Sequence, residues 1–356
     1  MAVLKMYKDK LRHNYEFLEK TFKKNSIEWA VVSKILCGNK AFLKEVIQLG
    51  IKEICDSRIS NLRTIKELSA NIQTVYIKPP AKRSIPNVIR YADVSFNTEF
   101  ETMKNLSAEA KRQNKTHKVV IMIELGDLRE GVMGERLIDF YASVFELPNI
   151  EITGLGANLN CLYGVMPSED KLIQLSLYKQ LIEAKFNIKI PWVTGGTSVV
   201  FPLLLANRLP KGINHFRIGE MLFFGNNLMT RENVSEMKQD VFKLFAEIIE
   251  IQEKPKVPSG EMEENPSGEV YKVNVEDYGK TSYRAIIDVG LLDISTDFIV
   301  PEDEDIEVCG ASSDMIVLDL GKTKGQYKVG DNITFKLKYM GALGLLNSNY
   351  IEKEVV

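Results

Sequence analysis

The amino-acid sequence predicts an α/β protein: an N-terminal (β/α)8 barrel of the TIM type followed by a mostly β domain. Two observations carry this. From residue 29 to residue 223, apolar strand-like runs alternate with amphipathic helix-like stretches, and such alternation implies parallel strands. Beyond about Leu228 the pattern changes to strands joined by turns. The expected domains are residues 1–230 and 231–356.

An opening helix is expected over Tyr7–Lys24, where Leu11, Tyr15 and Leu18 fall at helical spacing. Eight strand runs follow: Trp29–Ile35, Glu53–Asp56, Thr74–Ile77, Asp93–Phe96, Lys118–Glu124, Glu151–Ala157, Trp192–Thr194 and Phe216–Phe223. Between them lie helical stretches such as Ala41–Leu49, Ile59–Leu68, Glu99–Gln113, Glu135–Phe145 and Glu169–Lys185. Eight such units point to a closed barrel. A doubly wound open sheet is the alternative, weakened because no Gly-x-Gly-x-x-Gly turn follows any strand. In the second domain, strands are expected at Val241–Ile251, Tyr283–Leu291, Ile306–Gly310, Met315–Leu320 and Asn332–Tyr339, with no intervening helices. Gln252–Glu269, rich in Pro, Gly and Glu, reads as a long loop.

Composition narrows the class. A formal net charge of −2 on 356 residues gives no global field for nucleic acid or an anionic membrane. No apolar run reaches the roughly 20 residues of a membrane span, and the first residues do not read as a signal peptide. Cys37, Cys55, Cys161 and Cys309 are far apart, which argues against a disulfide framework and a structural zinc site and fits a reducing cytoplasm. The three histidines, His13, His117 and His215, lie on the leading helix or before their strands. No metal site and no histidine-based triad is therefore expected.

In a barrel the chemistry sits at the C-terminal strand ends. The first strand delivers Lys34, a costly residue in an apolar strand unless it pairs or reacts; a desolvated lysine is an amine nucleophile. The alternative is a surface lysine at a strand end. The fifth strand leads into Asp127 and Arg129, the sixth into Asn158 and Cys161, the seventh into Thr197 and Ser198, and the eighth carries Arg217, Gly219 and Glu220. Thr194-Gly-Gly-Thr-Ser opens a helix-like stretch, Val199–Asn207. Backbone N–H groups at a helix start favour phosphate, with Ser198 adding a hydroxyl; simple helix capping is the other reading. A lysine, a phosphate cradle and an arginine together form a constellation for pyridoxal phosphate.

These residues resemble the fold-type III pyridoxal phosphate enzymes of the alanine racemase group, most nearly the ornithine racemase type of amino-acid racemase. The resemblance runs through Leu11-Arg-His-Asn-Tyr, Val31-Val-Ser-Lys, Asp56-Ser-Arg-Ile-Ser-Asn-Leu, Glu124-Leu-Gly-Asp-Leu-Arg-Glu-Gly-Val, Gly154-Leu-Gly-Ala-Asn-Leu, Thr194-Gly-Gly-Thr-Ser, Arg217-Ile-Gly-Glu and Gly310-Ala-Ser-Ser-Asp-Met. It implies a head-to-tail homodimer with sites at the interface. It also implies that Lys34 is the Schiff-base lysine and that Arg217 faces the pyridine nitrogen. Ser198, with the N–H groups of Gly219 and Glu220, would hold the phosphate, and Tyr339 would be a further contact. Arg129 would lie near the phenolic oxygen, and Asn158 where alanine racemase has a ring-stacking histidine.

Two departures stand out. Leu291 occupies the place of the family's second acid/base tyrosine, and Gly38 that of the tyrosine near the phosphate. Cys161 is the candidate for the second proton-transfer group, with a buried structural cysteine as the other reading. Ser313 and Asp314 lie where the family's C-terminal domain approaches substrate, and Asp314 would pair with a distal amine or simply cap a turn. The expected function is racemisation of a basic amino acid, ornithine or lysine. The alternatives are a non-catalytic pyridoxal phosphate-binding protein, and a decarboxylase or aldolase on the same fold.

Overall fold

In the computed structural model, which describes residues 2–265, 268 and 270–356, the chain divides into two compact units, one of residues 7–241 and one of residues 1–6 with 242–356. The chain thus changes unit at residues 241/242, and its opening residues, expected in the barrel domain, belong to the β unit.

The first elements are β1 (Val3–Met6) and α1 (Lys8–Lys24). The barrel unit then runs β2 (Glu28–Val32), α2 (Lys40–Gln48), β3 (Glu53–Asp56), α3 (Ile59–Leu68), β4 (Gln73–Tyr76), α4 (Ile85–Tyr91), β5 (Val94–Asn97), α5 (Phe100–Arg112), β6 (His117–Met122), α6 (Leu137–Phe145), β7 (Ile150–Gly156) and α7 (Glu169–Phe186). It ends with β8 (Trp192–Thr194), β9 (Gly196–Thr197), α8 (Phe201–Leu205), β10 (His215–Ile218) and α9 (Glu220–Phe224). Every pairing is parallel, in the order β8-β7-β6-β5-β4-β3-β2-β10-β9. Only Gly195 separates β8, which pairs β7, from β9, which pairs β10, so one interrupted strand closes the barrel. Alternate strand residues fill the interior: Ala30 and Val32, Cys55, Val75, Val94 and Phe96, Val120 and Met122.

Several expected strands end early, two of them at the candidate site. The first stops at Val32, and Lys34–Leu36 form a 3₁₀ turn; the eighth stops at Ile218, and α9 follows. Ile35, Leu36 and Met221–Phe224 are all buried, and a short buried apolar run has no period that separates helix from strand. The expected helix at Val199–Asn207 shortens to α8.

The β unit contains β11 (Phe242–Pro255), β12 (Thr281–Ile287), β13 (Ile299–Pro301), β14 (Glu307–Ala311), β15 (Ile316–Asp319), β16 (Asn332–Leu337), α10 (Tyr339–Asn347) and β17 (Glu352–Val355). Phe242, Leu244, Ala246 and Ile248 of β11 alternate inward, the period of a half-buried strand. Its first half pairs β1 and β16; past a bulge at Ile248/Glu250 it pairs β12. β11 takes the first residues of the expected 252–269 loop, of which Pro266, Ser267 and Glu269 lie outside the described residues. The helix α10 corrects the expectation of an all-strand domain.

Candidate active site

Lys34 follows β2 directly. Ser33 is fully buried, its hydroxyl donating to Asp56 Oδ2 at 2.8 Å, and its backbone N–H to Cys55 O at 2.9 Å. Asp56, at the end of β3, also accepts from Arg58 N at 2.8 Å and Asn61 Nδ2 at 3.1 Å. Burial raises its carboxyl pKa, against the lowering effect of these bonds. The residue before the lysine is thereby fixed, while Lys34 itself is exposed. This corrects the expected desolvated lysine: the turn lifts it out of the strand layer. Gly38, four residues on, has φ +77°, and a Cβ there would meet Asn61 Oδ1 at 2.7 Å. A tyrosine does not fit that backbone.

Arg217, on β10, is buried and donates to neutral acceptors. Its Nε donates to Thr194 Oγ1 at 3.0 Å, Nη1 to Asn158 Oδ1 at 2.7 Å, and Nη2 to Ala157 O at 2.8 Å and Thr194 O at 3.1 Å. The guanidinium lies 5.2 Å from the centre of the Phe96 ring. Burial lowers its pKa, and the Glu130 carboxylate opposes this in part. Below it, Thr194 Oγ1 meets His215 Nδ1 at 2.8 Å, and His215 Nε2 meets Glu53 Oε1 at 3.1 Å. His215 is thus the first residue of β10, where it was expected just before the strand, and it is linked to the arginine through Thr194.

Asn158 bridges outward. Its Nδ2 donates to Glu130 Oε1 at 2.5 Å, and Arg129 Nη2 donates to the same oxygen at 2.6 Å, with Arg129 Nε on Oε2. Arg129, Asn158 and Arg217 are therefore brought together, with Glu130 among them. The sequence reading missed Glu130; its only signal was an acidic residue beside Arg129 in a strand-end loop.

Ser198 is buried, and its Oγ accepts from Gly219 N at 3.3 Å and Met221 N at 3.4 Å. Met221 thus joins Gly219 there, in the position expected of Glu220. The Glu220 carboxyl is half-buried, and burial raises its pKa while the Asn226 amide and nearby Lys34 lower it. Asn14 of α1 ties down α9, donating to Leu222 O at 2.9 Å and accepting Lys238 N at 2.7 Å. Thr197 forms β9 and accepts Val200 N at 2.9 Å. The glycines before it answer to packing: a Cβ on Gly196 would fall 2.2 Å from the Phe216 ring.

Cys161 is exposed, which removes the buried structural cysteine reading. Asp127, buried beneath, accepts the backbone N–H groups of Cys161 and Leu162 on Oδ2, each at 2.9 Å. Its Oδ1 accepts those of Tyr163 and Val165, each at 3.2 Å. Burial alone would raise the Asp127 pKa, but these four bonds hold it below the usual value. The Cys161 sulfur lies 3.5 Å from Leu159 O in the loop that also carries Asn158.

Tyr339, Ser313 and Asp314 belong to the β unit. Tyr339 begins α10 instead of ending a strand. Ser313 and Asp314 are exposed in the turn between β14 and β15, with Ser313 Oγ on Asp314 Oδ2 at 2.6 Å. Leu291 N donates to Ser312 O and Leu292 N to Ser313 O, each at 2.9 Å. The leucine standing where the family has a tyrosine therefore lies against this turn.

In the barrel unit, a buried arginine, a hydroxyl with two converging backbone N–H groups and an adjacent lysine fit a planar, anionic cofactor. Among the described residues, no group of three or more His, Cys, Asp or Glu side chains is arranged to hold a metal ion. No helix among them is long and apolar enough to cross a membrane.

Comparison with known proteins agrees in its own terms. The ornithine racemase of Acetoanaerobium sticklandii is 37% identical over 349 residues, 98% of each chain. The lysine racemase of Thermotoga maritima is 30% identical over 330 residues, 93% of this chain and 91% of its own. Among solved structures, alanine racemase from Bartonella henselae with covalently bound pyridoxal phosphate superposes at a TM-score of 0.73, with 15% identity, over 100% of this chain and 99% of that one. The family profile described as alanine racemase, N-terminal domain, matches residues 7–227, and on that match this protein belongs to the alanine racemase family.

Proposed function

We propose that this chain is a pyridoxal phosphate-dependent amino-acid racemase acting on a basic amino acid, ornithine or lysine. The observation that carries the reading is the buried Arg217, held by neutral acceptors at the mouth of a barrel that also presents Lys34 and the Ser198 hydroxyl. Two relatives along nearly the whole chain, named as ornithine and lysine racemases, support the substrate class.

Lys34 would hold the cofactor covalently. Ser198 and the N–H groups of Gly219 and Met221 would bind its phosphate, with Thr197, Glu220 and Tyr339 as further contacts. Arg217 would face the ring nitrogen, with Asn158 against the ring and Arg129 at the phenolic oxygen. The Arg217 guanidinium would there disfavour a proton on that nitrogen. When bound, the cofactor supplies an aldehyde that condenses with amines and a ring that acidifies the substrate Cα–H. Racemisation then needs a proton group on each face of Cα. Lys34 Nζ serves one face and Cys161 Sγ the other. Ser313 and Asp314 would receive the distal amine, Asp314 by charge pairing, in a head-to-tail homodimer whose sites lie at the interface. The barrel domain binds the cofactor, the C-terminal β domain serves the partner's site, and the protein works in the cytoplasm.

Purified protein should be yellow with pyridoxal phosphate, and borohydride should fix the label to Lys34. Chiral chromatography should then show L-ornithine or L-lysine converted to the D enantiomer. Adduct formation in Lys34→Ala would overturn the lysine assignment. A fixed cofactor with no racemisation of any amino acid would overturn the activity and leave a binding protein.

A further inference from the structure

Arg217 is a buried cation that donates to neutral acceptors: Thr194 Oγ1 and O, Ala157 O and Asn158 Oδ1. A buried charge without a counterion is costly. Along the hydrogen-bond chain, the nearest carboxylate is Glu130, one amide away. Glu130 Oε1 receives Asn158 Nδ2 at 2.5 Å, and the same carboxylate receives Arg129 through Nε and Nη2. Asn158 therefore has an acceptor on its nitrogen side and a donor on its oxygen side, which leaves its amide a single orientation. Glu130 thus pairs with Arg129 directly and reaches Arg217 through the Asn158 amide. The other titratable groups acting on them are Cys55 from β3, Cys161 and Asp127, and His215 with Glu53 lies below through Thr194.

We propose that Glu130 is the positioning residue of this site: its carboxylate is the shared countercharge of Arg129 and Arg217 and fixes the Asn158 amide between them. It thereby sets the field that a bound pyridine ring meets. The inference rests on the cofactor reading above, and it assigns a role to a side chain that need not touch the cofactor.

Glu130→Gln keeps the shape and an acceptor oxygen but removes the charge. The site then holds two cations with no anion between them, which favours the deprotonated form of any acid nearby. In the cofactor-loaded protein, the pH midpoint of the visible absorption band should fall by about one unit in this variant. With it, kcat should fall on the order of tenfold while KM stays within about twofold. Glu130→Asp keeps the charge, and its midpoint should stay within about 0.3 unit of the wild type. It also carries the test should Glu130→Gln fail to fold. A wild-type midpoint in Glu130→Gln, or a full-unit shift in Glu130→Asp, overturns the proposal. Wild-type protein that shows no borohydride-fixed band instead overturns the cofactor reading, so the two failures are told apart.

Discussion

Asp127 holds Cys161 by the backbone: a buried carboxylate accepts the Cys161 N–H at 2.9 Å and takes three more N–H groups from the same loop. The exposed side-chain sulfur is left outside this anchor. Removing the carboxylate strands those donors. Asp127→Ala should destabilise the protein by about 2–4 kcal/mol, with hydrogen exchange accelerating first at residues 160–165. Peptide-resolved exchange checks this; unchanged protection there would count against the anchor.

If Cys161 serves one face of Cα and Lys34 the other, the two halves of racemisation separate on mutation. Cys161→Ala should lose about 100-fold or more in racemisation. It should still exchange the Cα proton of one enantiomer with deuterated solvent, through Lys34. Equal loss of exchange from both enantiomers would speak for a different second group.

The strand break that closes the barrel depends on missing side chains. A Cβ on Gly196 would sit 2.2 Å from the Phe216 ring, whereas one on Gly310 meets nothing within 4 Å. Gly196→Ala should cost about 3 kcal/mol or more, and Gly310→Ala less than about 0.5 kcal/mol. Thermal melting of the two variants side by side makes the comparison.

His117, at the start of β6, is buried, with Nε2 2.8 Å from Ser95 Oγ. Burial pushes its pKa down from 6.5 to about 4, with smaller opposing and assisting effects from Asp93 and Lys115. The unfolded chain takes up a proton below about pH 6.5 that the folded chain refuses until near pH 4. This residue's contribution is therefore complete above that window and is lost as pH falls through it, by about 3 kcal/mol. Denaturant midpoints across pH 4–7 should show a flatter acid limb in His117→Gln.

Much of the barrel was legible because its strands are buried on both faces and read as continuous apolar runs separated by helical periodicity. The same property hid where β2 and β10 stop, since Ile35 and Met221 are as apolar and buried as the strand residues before them. β1 and β17 escaped for another reason: they lie outside the strand–helix alternation that marks equally short barrel strands such as β3. At the site, Lys34, Arg217 and Ser198 were visible as chemistry at strand ends. Lys34's exposure was not, because it depends on the turn after Val32. Glu130 and Asp56 act through neighbours brought near by folding, so nothing in their local sequence separates them from solvated acids.

The hydrogen bond from Tyr7 N to Val241 O, 2.9 Å, joins the two ends of the barrel unit. That unit is thus an insert with adjoining ends, threaded into the β unit between Met6 and Phe242. In synthesis β1 precedes the barrel, yet its parallel neighbour, residues 352–355, is made hundreds of residues later. The barrel has all of its own strands before the β unit has its last, so the order of synthesis runs from the inside of the connectivity outward. Linking the end of β17 to the start of β1 and opening the chain within residues 256–265 would produce a permuted gene in which the two strands are translated together.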